Sequence, residues 1–318
     1  MNSNKITILM PAYNTATYIG EAISSVLAQD FETFELLIID DGSTDETINI
    51  IRSYVDNRIR IIRQEHSGIS VALNRGLQEA NTNYIARFDA DDICLPGRLR
   101  KQYDFLEKNP GHVICGGEAK YISEDGEYLF DFKCPAYSHE ELLVIIKQTC
   151  PFIHSAVMYR KEAVLKAGGY CAHAYNFEDH ILWIRLASQG KFCNLQEQLI
   201  KVRFNPSSAT IDEKWCSKEF NSLKRKILGQ GYASAEDGER LKLLVQTQQT
   251  KDIKEGAYHA LCGKKFLVNN HQPARARGQF SRAIKLHPAK WENYVLYLLS
   301  YFPESLIQWL YRKTKTQS

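Results

Sequence analysis

The sequence lacks long apolar runs and an N-terminal export signal. No uninterrupted apolar stretch approaches the roughly 18 residues that a membrane-spanning helix needs, so we expect no membrane span. The N-terminus shows no basic segment followed by a long apolar core, and we therefore expect no signal peptide. Together these absences favour a cytoplasmic protein.

Close cysteine pairs, strong net charge and glycine-rich phosphate motifs are missing as well. None of the eight cysteines stands in a Cys-x-x-Cys pair, so the thiols are expected to be buried in a reducing compartment rather than bound to zinc. A formal charge of +3 over 318 residues is too small to indicate a nucleic-acid partner. Neither G-x-G-x-x-G nor G-x-x-x-x-G-K-[ST] occurs, so bound phosphates would have to be held by a metal.

Short apolar runs alternate with amphipathic segments over the first hundred residues. The runs occupy residues 6–10, 34–40, 59–62 and 84–88, and the segments between them carry apolar residues at helical spacing. Strands that are apolar on both faces and alternate with helices are typical of β-α-β units. The sequence therefore predicts an α/β fold with a mainly parallel, Rossmann-like sheet flanked by helices.

Local patterns add three more predictions. Ser43 and Glu46 have the spacing of a capping box before a helix. Asp125 and Gly126 stand between strand-like flanks and predict a hairpin. The segment 191–204 should contain two strands.

The composition changes near residue 210, so we expect a catalytic domain at 1–210 and a helical C-terminal region at 211–318. Two interpretations of the C-terminal region stay open: helices that pack on one another or on a partner, as in oligomerisation, or peripheral contact with an anionic membrane at the inner face of the cytoplasmic membrane. Aromatic and leucine residues at helical spacing, together with nearby basic residues, suggest the membrane contact. They are Trp291, Tyr294, Leu298, Tyr301, Leu306, Trp309, Leu310, Arg312, Lys313 and Lys315.

Three polar segments, Pro11–Asn14, Asp40–Asp45 and Asp89–Asp92, each follow a predicted strand. Ligands of open parallel sheets bind at the carboxyl ends of the strands. The carboxylates in the third segment repel one another unless a cation is near, and oxygen donors suit Mg²⁺ or Mn²⁺ together with a substrate diphosphate. The simpler alternative is an acidic turn that caps the next helix, but the position behind a buried strand favours a metal.

Two further acidic sites have competing interpretations. Asp40 and Asp41 can cap a helix, which needs one carboxylate and leaves the other to accept a hydrogen bond from a base or a ribose. Glu178 and Asp179 can simply complement a helix dipole, or one of them can act as general base for an acceptor hydroxyl. The residues alone leave both alternatives open.

Five segments occur in a familiar order: ITILMPAYN, SVLAQDFETFELLIIDDGSTDET, SGISVALNRGLQEANTNYIARFDADD, HSAVMYRKEAVLKAGGY and FEDHILWIRLASQG. Together they make the chain resemble the family 2 glycosyltransferases of the GT-A fold. The resemblance implies transfer of a sugar, with inversion, from a nucleoside-diphosphate sugar to an acceptor hydroxyl. It also implies Mn²⁺ or Mg²⁺, a UDP-sugar as the first expected donor, a glycan or lipid-linked acceptor, and a place in bacterial surface polysaccharide or lipopolysaccharide assembly.

The resemblance further implies roles for individual residues. Asp179 would be the catalytic base, Glu178 would contact the acceptor or donor sugar, and Asp91 and Asp92 would hold the metal. His154 would lie near the acceptor, or be a histidine satisfied within the core. Nucleotide-sugar binding would fall to Pro11, Ala12, Tyr13, Asp41, Asn74, Arg75, Asp89 and Asp91.

The sequence departs from the family in two places. Asn205 stands where many relatives carry a histidine, which puts a metal or phosphate role there in doubt. The Q-x-x-R-W signature of processive synthases is missing, so single transfers are expected.

Two rival functions are less well supported. A sugar nucleotidyltransferase would need a basic, glycine-rich loop after the first strand, and PAYNTATY is neither. An inactive nucleotide-sugar-binding module would be expected to have lost acidic positions.

Overall fold

The computed structural model describes residues 4–206, 217–248 and 251–315. Within these residues one sheet has the spatial order β3-β2-β1-β4-β8-β6-β9-β5, with β7 paired to β6. The strands are β1 (Ile6–Ala12), β2 (Phe34–Asp40), β3 (Ile59–Arg63), β4 (Tyr84–Arg87), β5 (Ile93–Cys94), β6 (His112–Ile122), β7 (Tyr128–Phe132), β8 (Met158–Arg160) and β9 (Lys191–Arg203).

The first four strands form the parallel half of the sheet. β1 lies between β2 and β4, and β3 lies outside β2. Gly76 lets a helix lie directly on β1, because a Cβ atom there would come within 2.1 Å of a Leu9 methyl group. The helices that connect these strands are α1 (Ile19–Leu27), α2 (Thr47–Ser53) and α3 (Ile69–Glu79).

The other half of the sheet is antiparallel. β8 runs antiparallel to both β4 and β6, and β5 runs antiparallel to β9. Trp183 packs edge-on against Phe152 in the core beside these strands. The flanking helices are α4 (Arg98–Lys108), α5 (His139–Ile145), α6 (Lys161–Lys166) and α7 (Glu178–Leu186), with a 3₁₀ turn at His154–Ala156. The predicted α/β architecture is confirmed, with a mixed sheet.

Helices make up the described part of the C-terminal region. Gly263 faces Phe280, where a Cβ atom would lie 2.8 Å from the aromatic ring, so the two helices that carry these residues approach closely. No helix in the described ranges combines the length and apolarity that crossing a bilayer requires. The helices are α8 (Lys218–Gln230), α9 (Ala235–Gln248), α10 (Lys251–Val268), α11 (Pro273–Leu286), α12 (Trp291–Leu299) and α13 (Glu304–Lys315).

The chain divides into two compact units that interleave along the sequence. The first unit contains the parallel half of the sheet. In the second unit, Glu124 N donates a hydrogen bond to Tyr258 Oη at 3.0 Å. The division predicted at residue 210 stays a prediction. The first unit comprises Met1–Ala119, Phe132–Val202 and Ser222–Leu241, and the second Lys120–Asp131, Arg203–Asn221 and Lys242–Ser318.

The local predictions have mixed outcomes. The hairpin is confirmed, since Ser123 N donates to Glu127 O at 2.8 Å. The prediction of two strands at 191–204 is wrong, because β9 is continuous. The capping box is wrong as well: the Ser43 hydroxyl accepts from Asn14 N instead, and α2 begins at Thr47 without a side-chain cap.

All seven described cysteines are free thiols. Cys150 and Cys193 are partly exposed and the other five are buried, so the prediction of mostly buried thiols is confirmed for the described residues. Cys216 and the side chains of residues 310–315 lie outside the described part of the structure.

Candidate active site

The carboxyl ends of β1, β2 and β4 lie side by side. Ala12 is in register with Asp40, and Leu9 is in register with Arg87. The loops that follow these strands therefore start at the same edge of the sheet, and they carry most of the residues predicted to bind a nucleotide sugar. Pro11 and Ala12 are buried within β1, whereas Tyr13 is exposed.

The loops after β1 and β2 are bonded to each other. Asn14 N donates to Ser43 Oγ at 3.0 Å, and Thr44 N donates to Asn14 Oδ1 at 2.8 Å. Asn14 has a left-handed backbone with φ of 50°, a conformation that asparagine tolerates better than most residues. These reciprocal bonds fix the rim of the site.

Tyr13 stacks on His66, with ring centroids 4.0 Å apart and an angle of 22° between the rings. Tyr13 is 43% exposed, so the pair offers an aromatic surface at the rim. Sequence reasoning missed His66, because the histidine lies in the loop after β3 and no apolar pattern marks that loop.

Asp41 is buried and its carboxylate is already engaged. Oδ1 accepts from Gln64 Nε2 at 2.7 Å and from Ser67 N at 3.0 Å. Oδ2 accepts from Gly68 N at 2.8 Å and lies 3.0 Å from His66 Nδ1. Asp41 thus orders the loop that leads into α3, and its predicted contact with a nucleotide base stays a prediction.

Asp40 has a countercharge within the chain. Its Oδ1 accepts from Ser43 N at 3.1 Å, and its Oδ2 lies 3.1 Å from Nε of Arg63. Asp40 therefore supports the turn after β2.

Asn74 is used to hold the backbone of a neighbouring loop. Its Nδ2 donates to Tyr170 O and its Oδ1 accepts from Tyr170 N, both at 2.8 Å. Both ends of the amide are therefore engaged with the main chain of Tyr170. The predicted approach of Asn74 to the nucleotide stays a prediction. The side chain of Arg75, by contrast, makes no hydrogen bond or ion pair within the described residues and is partly exposed.

A buried cation that the sequence analysis overlooked lies next to the acidic loop that follows β4. Arg87, the last residue of β4, is fully buried and forms an ion pair with Oδ2 of Asp89. Asp89 N also donates to Ser155 Oγ at 3.0 Å. Asp91 is half-buried and Asp92 is buried. The expectation that all three carboxylates need an external cation is therefore too broad, because Asp89 has an internal one.

Near Glu178, three polar side chains contact one another in a row. His154 Nε2 lies 3.0 Å from Tyr170 Oη, which lies 3.3 Å from Tyr159 Oη. Burial, and then the charge of Arg87, hold the pKa of His154 well below its usual range. The neutral imidazole points its Nδ1 toward Glu178, with 3.9 Å to Oε1.

Glu178 and Asp179 open α7 but have different surroundings. Glu178 is buried, and burial followed by the charge of Asp179 raises the pKa of Glu178 to about 8, so this carboxyl group is protonated at neutral pH. Asp179 is partly exposed. Its Oδ1 accepts from His180 N at 2.6 Å, and its Oδ2 accepts from Cys150 Sγ at 3.4 Å.

The donor set near the acidic loop suits a hard divalent cation that a substrate helps to bind. Within the described residues, no three histidine, cysteine or acidic side chains gather closely enough to hold a metal by themselves. Mg²⁺ and Mn²⁺ commonly bind through one or two carboxylates and complete their shell with substrate phosphates and water. Asp91 and Asp92 fit that requirement. Asn205 is buried, and its role stays a prediction.

The sequence model of a protein family, described as Glycosyl transferase family 2, matches residues 7–168, which is just over half of the chain. The chain belongs to glycosyl transferase family 2. The family predicted from the sequence is thereby confirmed, and the chain is a glycosyltransferase. The matched residues include every predicted nucleotide and metal position, but Glu178 and Asp179 lie beyond them.

Several curated proteins are similar to this family 2 glycosyltransferase, and the names of two of them refer to the synthesis of a glycan. The O-antigen biosynthesis glycosyltransferase WbnJ of Escherichia coli is 32% identical over 209 residues, which cover 64% of this chain and 81% of WbnJ. The amylovoran biosynthesis glycosyltransferase AmsE of Erwinia amylovora is 30% identical over 203 residues, covering 62% and 75%. The putative glycosyltransferase EpsE of Bacillus subtilis is 34% identical over 215 residues, covering 64% and 74%.

Solved structures that contain a bound nucleotide sugar share the fold at low identity. S. aureus TarS 1–349 in complex with UDP-GlcNAc has a TM-score of 0.55 and 18% identity, covering 98% of this chain and 92% of that one. Mannosyltransferase PcManGT of Pyrobaculum calidifontis in complex with GDP-Man and Mn²⁺ has a TM-score of 0.56 and 16% identity, covering 97% and 84%. The predicted GT-A fold is confirmed.

Proposed function

We propose that this glycosyltransferase moves a sugar from a nucleoside-diphosphate sugar, first of all a UDP-sugar, to an acceptor hydroxyl with inversion. The observation that carries the proposal is the meeting of three strand ends, which gathers an exposed aromatic pair and an acidic loop at one edge of the sheet. Parallel sheets bind nucleotides at this edge.

Asp179 is the proposed base. Its partly exposed carboxylate takes the proton of the acceptor hydroxyl while that oxygen attacks the anomeric carbon. The bond from the anomeric carbon to the diphosphate oxygen breaks on the opposite face, and its electron pair leaves with the diphosphate. One displacement inverts the anomeric centre, so no enzyme nucleophile is needed. Protonated Glu178 can donate a hydrogen bond to a sugar oxygen without repelling Asp179 as a second anion would.

Asp91 and Asp92 are the residues that would hold Mn²⁺ or Mg²⁺. When bound, the ion offsets the charge that develops on the departing diphosphate. The chain has no glycine-rich phosphate-binding motif, which agrees with a role for the metal in binding the diphosphate.

The biological context is proposed from the relatives. Their names refer to O-antigen and amylovoran synthesis, so we propose a surface glycan as the pathway and a glycan or lipid-linked acceptor. Peripheral contact with an anionic membrane would bring a lipid-linked acceptor to the enzyme. Exposed apolar residues on α12, on α13 and in the turn between them support this contact; they are Trp291, Tyr294, Val295, Leu298, Tyr301, Phe302, Leu306 and Trp309.

A panel of nucleotide sugars tests the proposed function. The protein is incubated with each donor in Mn²⁺, Mg²⁺ or EDTA, and thermal unfolding and donor hydrolysis are recorded. We expect one donor class to raise the unfolding temperature and to be hydrolysed slowly when metal is present. Stabilisation without hydrolysis or transfer would favour the inactive binding module, and formation of a nucleotide sugar from a sugar phosphate and a nucleoside triphosphate would favour the nucleotidyltransferase.

A further inference from the structure

Two arginine side chains lie fully buried at the acidic loop. Arg87 precedes the loop and Arg98 follows it, and each is 1% exposed. Removing a guanidinium group from water costs several kcal/mol unless the charge is paired and its donors are bonded. The contacts of these two side chains therefore indicate what each one does.

The side chain of Arg98 donates hydrogen bonds to main-chain carbonyl groups. Its Nη2 donates to Arg87 O at 2.7 Å and to Val157 O at 3.3 Å, and its Nε donates to Gln102 Oε1 at 3.0 Å. These bonds tie the end of β4 to the segment just before β8. Arg98 thus fixes the starting point of the acidic loop without contacting a carboxylate through any of them.

Arg87 holds a carboxylate. Its Nη1 forms an ion pair with Oδ2 of Asp89, but neither Nη1 nor Nε makes a hydrogen bond within the described residues. Burial alone lowers the pKa of the Arg87 guanidinium, but the charge of Asp89 reverses that effect and raises this pKa above its ordinary value. The cation is therefore permanent. Asp89 has two partners: its side chain pairs with Arg87, and its main-chain nitrogen donates to the hydroxyl of Ser155.

The charge of Arg87 reaches both sides of the candidate site. Arg87 attracts Asp92 as well as Asp89, and it lowers the pKa of His154 and of Glu178, although burial dominates both of those shifts. One buried cation thus lies between the acidic loop and the start of α7. Removing it would change the electrostatic potential of the whole site and would release Asp89.

We propose that Arg87 is a positioning residue that commits Asp89 to an internal ion pair and leaves Asp91 and Asp92 as the carboxylates that accept a divalent cation with the donor diphosphate. The division among the three carboxylates rests on the proposed function. It implies that the site attracts a free cation weakly and takes one up together with a nucleoside diphosphate.

Binding of Mn²⁺ without a nucleotide tests the proposal, because it requires no turnover. The free ion is followed by its electron paramagnetic resonance signal. We expect Arg87→Met to bind Mn²⁺ at least about tenfold more tightly than the wild type, since the number of available charged ligands sets the affinity of such sites. Arg87→Lys keeps the cation and should remain close to the wild type. Arg63→Met is the matched control, because it removes an equal charge from Asp40 at another strand end.

Asp89 variants decide the question even if Arg87→Met fails to fold. Asp89→Asn leaves Arg87 unpaired and so weakens Mn²⁺ binding electrostatically, but with UDP or GDP present it should lower the affinity less than Asp91→Asn and Asp92→Asn, each of which removes a ligand of the ion. The double variant Arg87→Met/Asp89→Asn carries no unpaired buried charge and should return to wild-type affinity. A loss of Mn²⁺ binding in Asp89→Asn equal to that in Asp91→Asn would overturn the proposal, as would unchanged affinity in folded Arg87→Met.

The same titration keeps the two proposals separate. Uptake of Mn²⁺ by the wild type only when UDP or GDP is added supports the proposed function, whatever the Arg87 variants do. A gain in Arg87→Met without nucleotide supports the role of Arg87, even if no nucleotide stimulates the wild type. Failure of the first result and success of the second would thus reject the function and retain the ion pair.

Discussion

Adjacent carboxyl groups with different environments are the main chemical feature at the scale of single residues. Glu178 is buried against neutral His154, whereas Asp179 is partly exposed and bonded to His180 N and Cys150 Sγ. Environments that separate the pKa values of two titratable groups assign them different roles. Here the protonated acid is suited to binding and the exposed carboxylate to proton removal.

Replacing Asp179 by Asn should remove the base and little else. Asn keeps an oxygen for His180 N but cannot take a proton at neutral pH, so we expect kcat to fall by about 10²–10⁴-fold. The affinity for the nucleotide donor, measured by calorimetry, should stay within about threefold of the wild type. Strong loss of donor affinity with turnover retained would assign Asp179 a different role.

The raised pKa of Glu178 makes stability depend on pH. The folded pKa of about 8 lies above the unfolded value of 4.5, so the folded chain binds an extra proton between them. This stabilisation is complete below pH 4.5 and is lost as pH rises through about 8. Glu178→Gln stays neutral. From pH 6 to pH 9, the wild type should therefore lose about 1–3 kcal/mol more free energy of unfolding than the variant.

Denaturant unfolding at the two pH values measures this difference. Glu162→Gln is the control, because Glu162 is an exposed residue paired with Lys166. Equal pH dependence in the wild type and in Glu178→Gln would show that Glu178 is ionised in the folded protein.

Single-residue roles could be predicted from the sequence only in part. The acids after β4 were predictable because they directly follow an apolar run. The burial and ion pair of Arg87 were not predictable, because nothing in the local pattern distinguishes it from an ordinary residue at the end of a strand, and β4 is covered on one side by β8, which is distant in sequence. The engagement of Asp41 was also hidden, because its partners lie in a loop more than twenty residues away.

At the scale of elements, two hydrogen bonds join α3 to the loop before α7. The amide of Asn74 bonds both main-chain groups of Tyr170, and Gly169 has φ of 65° with its Cβ position 2.6 Å from Asn74 Oδ1. Only glycine accommodates that backbone and that contact without strain. The loop therefore depends on one asparagine and one glycine.

A double-mutant cycle tests this link. Asn74→Ala leaves two buried main-chain groups unbonded and should cost about 1–3 kcal/mol of unfolding free energy. Gly169→Ala should cost about 1–2 kcal/mol from its backbone alone and more from the clash with Asn74. The double variant should cost less than the sum, because the clash partner is gone.

Gly68→Ala is the matched control for the cycle. Gly68 also has a positive φ, of 91°, but a Cβ atom there meets nothing within 4 Å. Its cost should add independently to that of Asn74→Ala. Additivity for Gly169 as well would contradict the proposed contact.

Element types were more predictable than element ends. Apolar runs identified β1 to β4, and helical spacing identified α1 to α3, because each signal is local. The continuity of β9 was not predictable, since polar residues in its middle look like a turn, and only pairing with neighbouring strands keeps the segment extended.

At the scale of the whole molecule, charge and exposed apolar surface concentrate near the C-terminus. Residues 273–315 contain eight Lys or Arg residues and two Glu residues. Among the described residues, eight of the nineteen exposed large apolar side chains lie within residues 291–309. A basic, aromatic-rich surface of this kind suits the interface of an anionic membrane.

Co-sedimentation with vesicles tests membrane contact. The wild type should sediment with phosphatidylserine-containing vesicles at low salt and should remain in solution with neutral vesicles, since screening and loss of lipid charge weaken the attraction. Trp291→Ser/Leu298→Ser should reduce binding severalfold, whereas Val55→Ser, which removes a fully exposed apolar side chain elsewhere, should not. Failure of the wild type to sediment would favour packing on a protein partner.

The central claim is that the edge formed by β1, β2 and β4 binds a nucleoside diphosphate together with a divalent cation. The most direct measurement is a crystal structure of the protein soaked with Mn²⁺ and UDP or GDP, with the ion located by anomalous scattering. The account predicts an Mn²⁺ peak against the carboxylate of Asp91 or Asp92, with the diphosphate bound to the same ion and Asp89 still paired with Arg87. A nucleotide bound elsewhere, or acidic side chains that face solvent with no ion between them and the diphosphate, would contradict it.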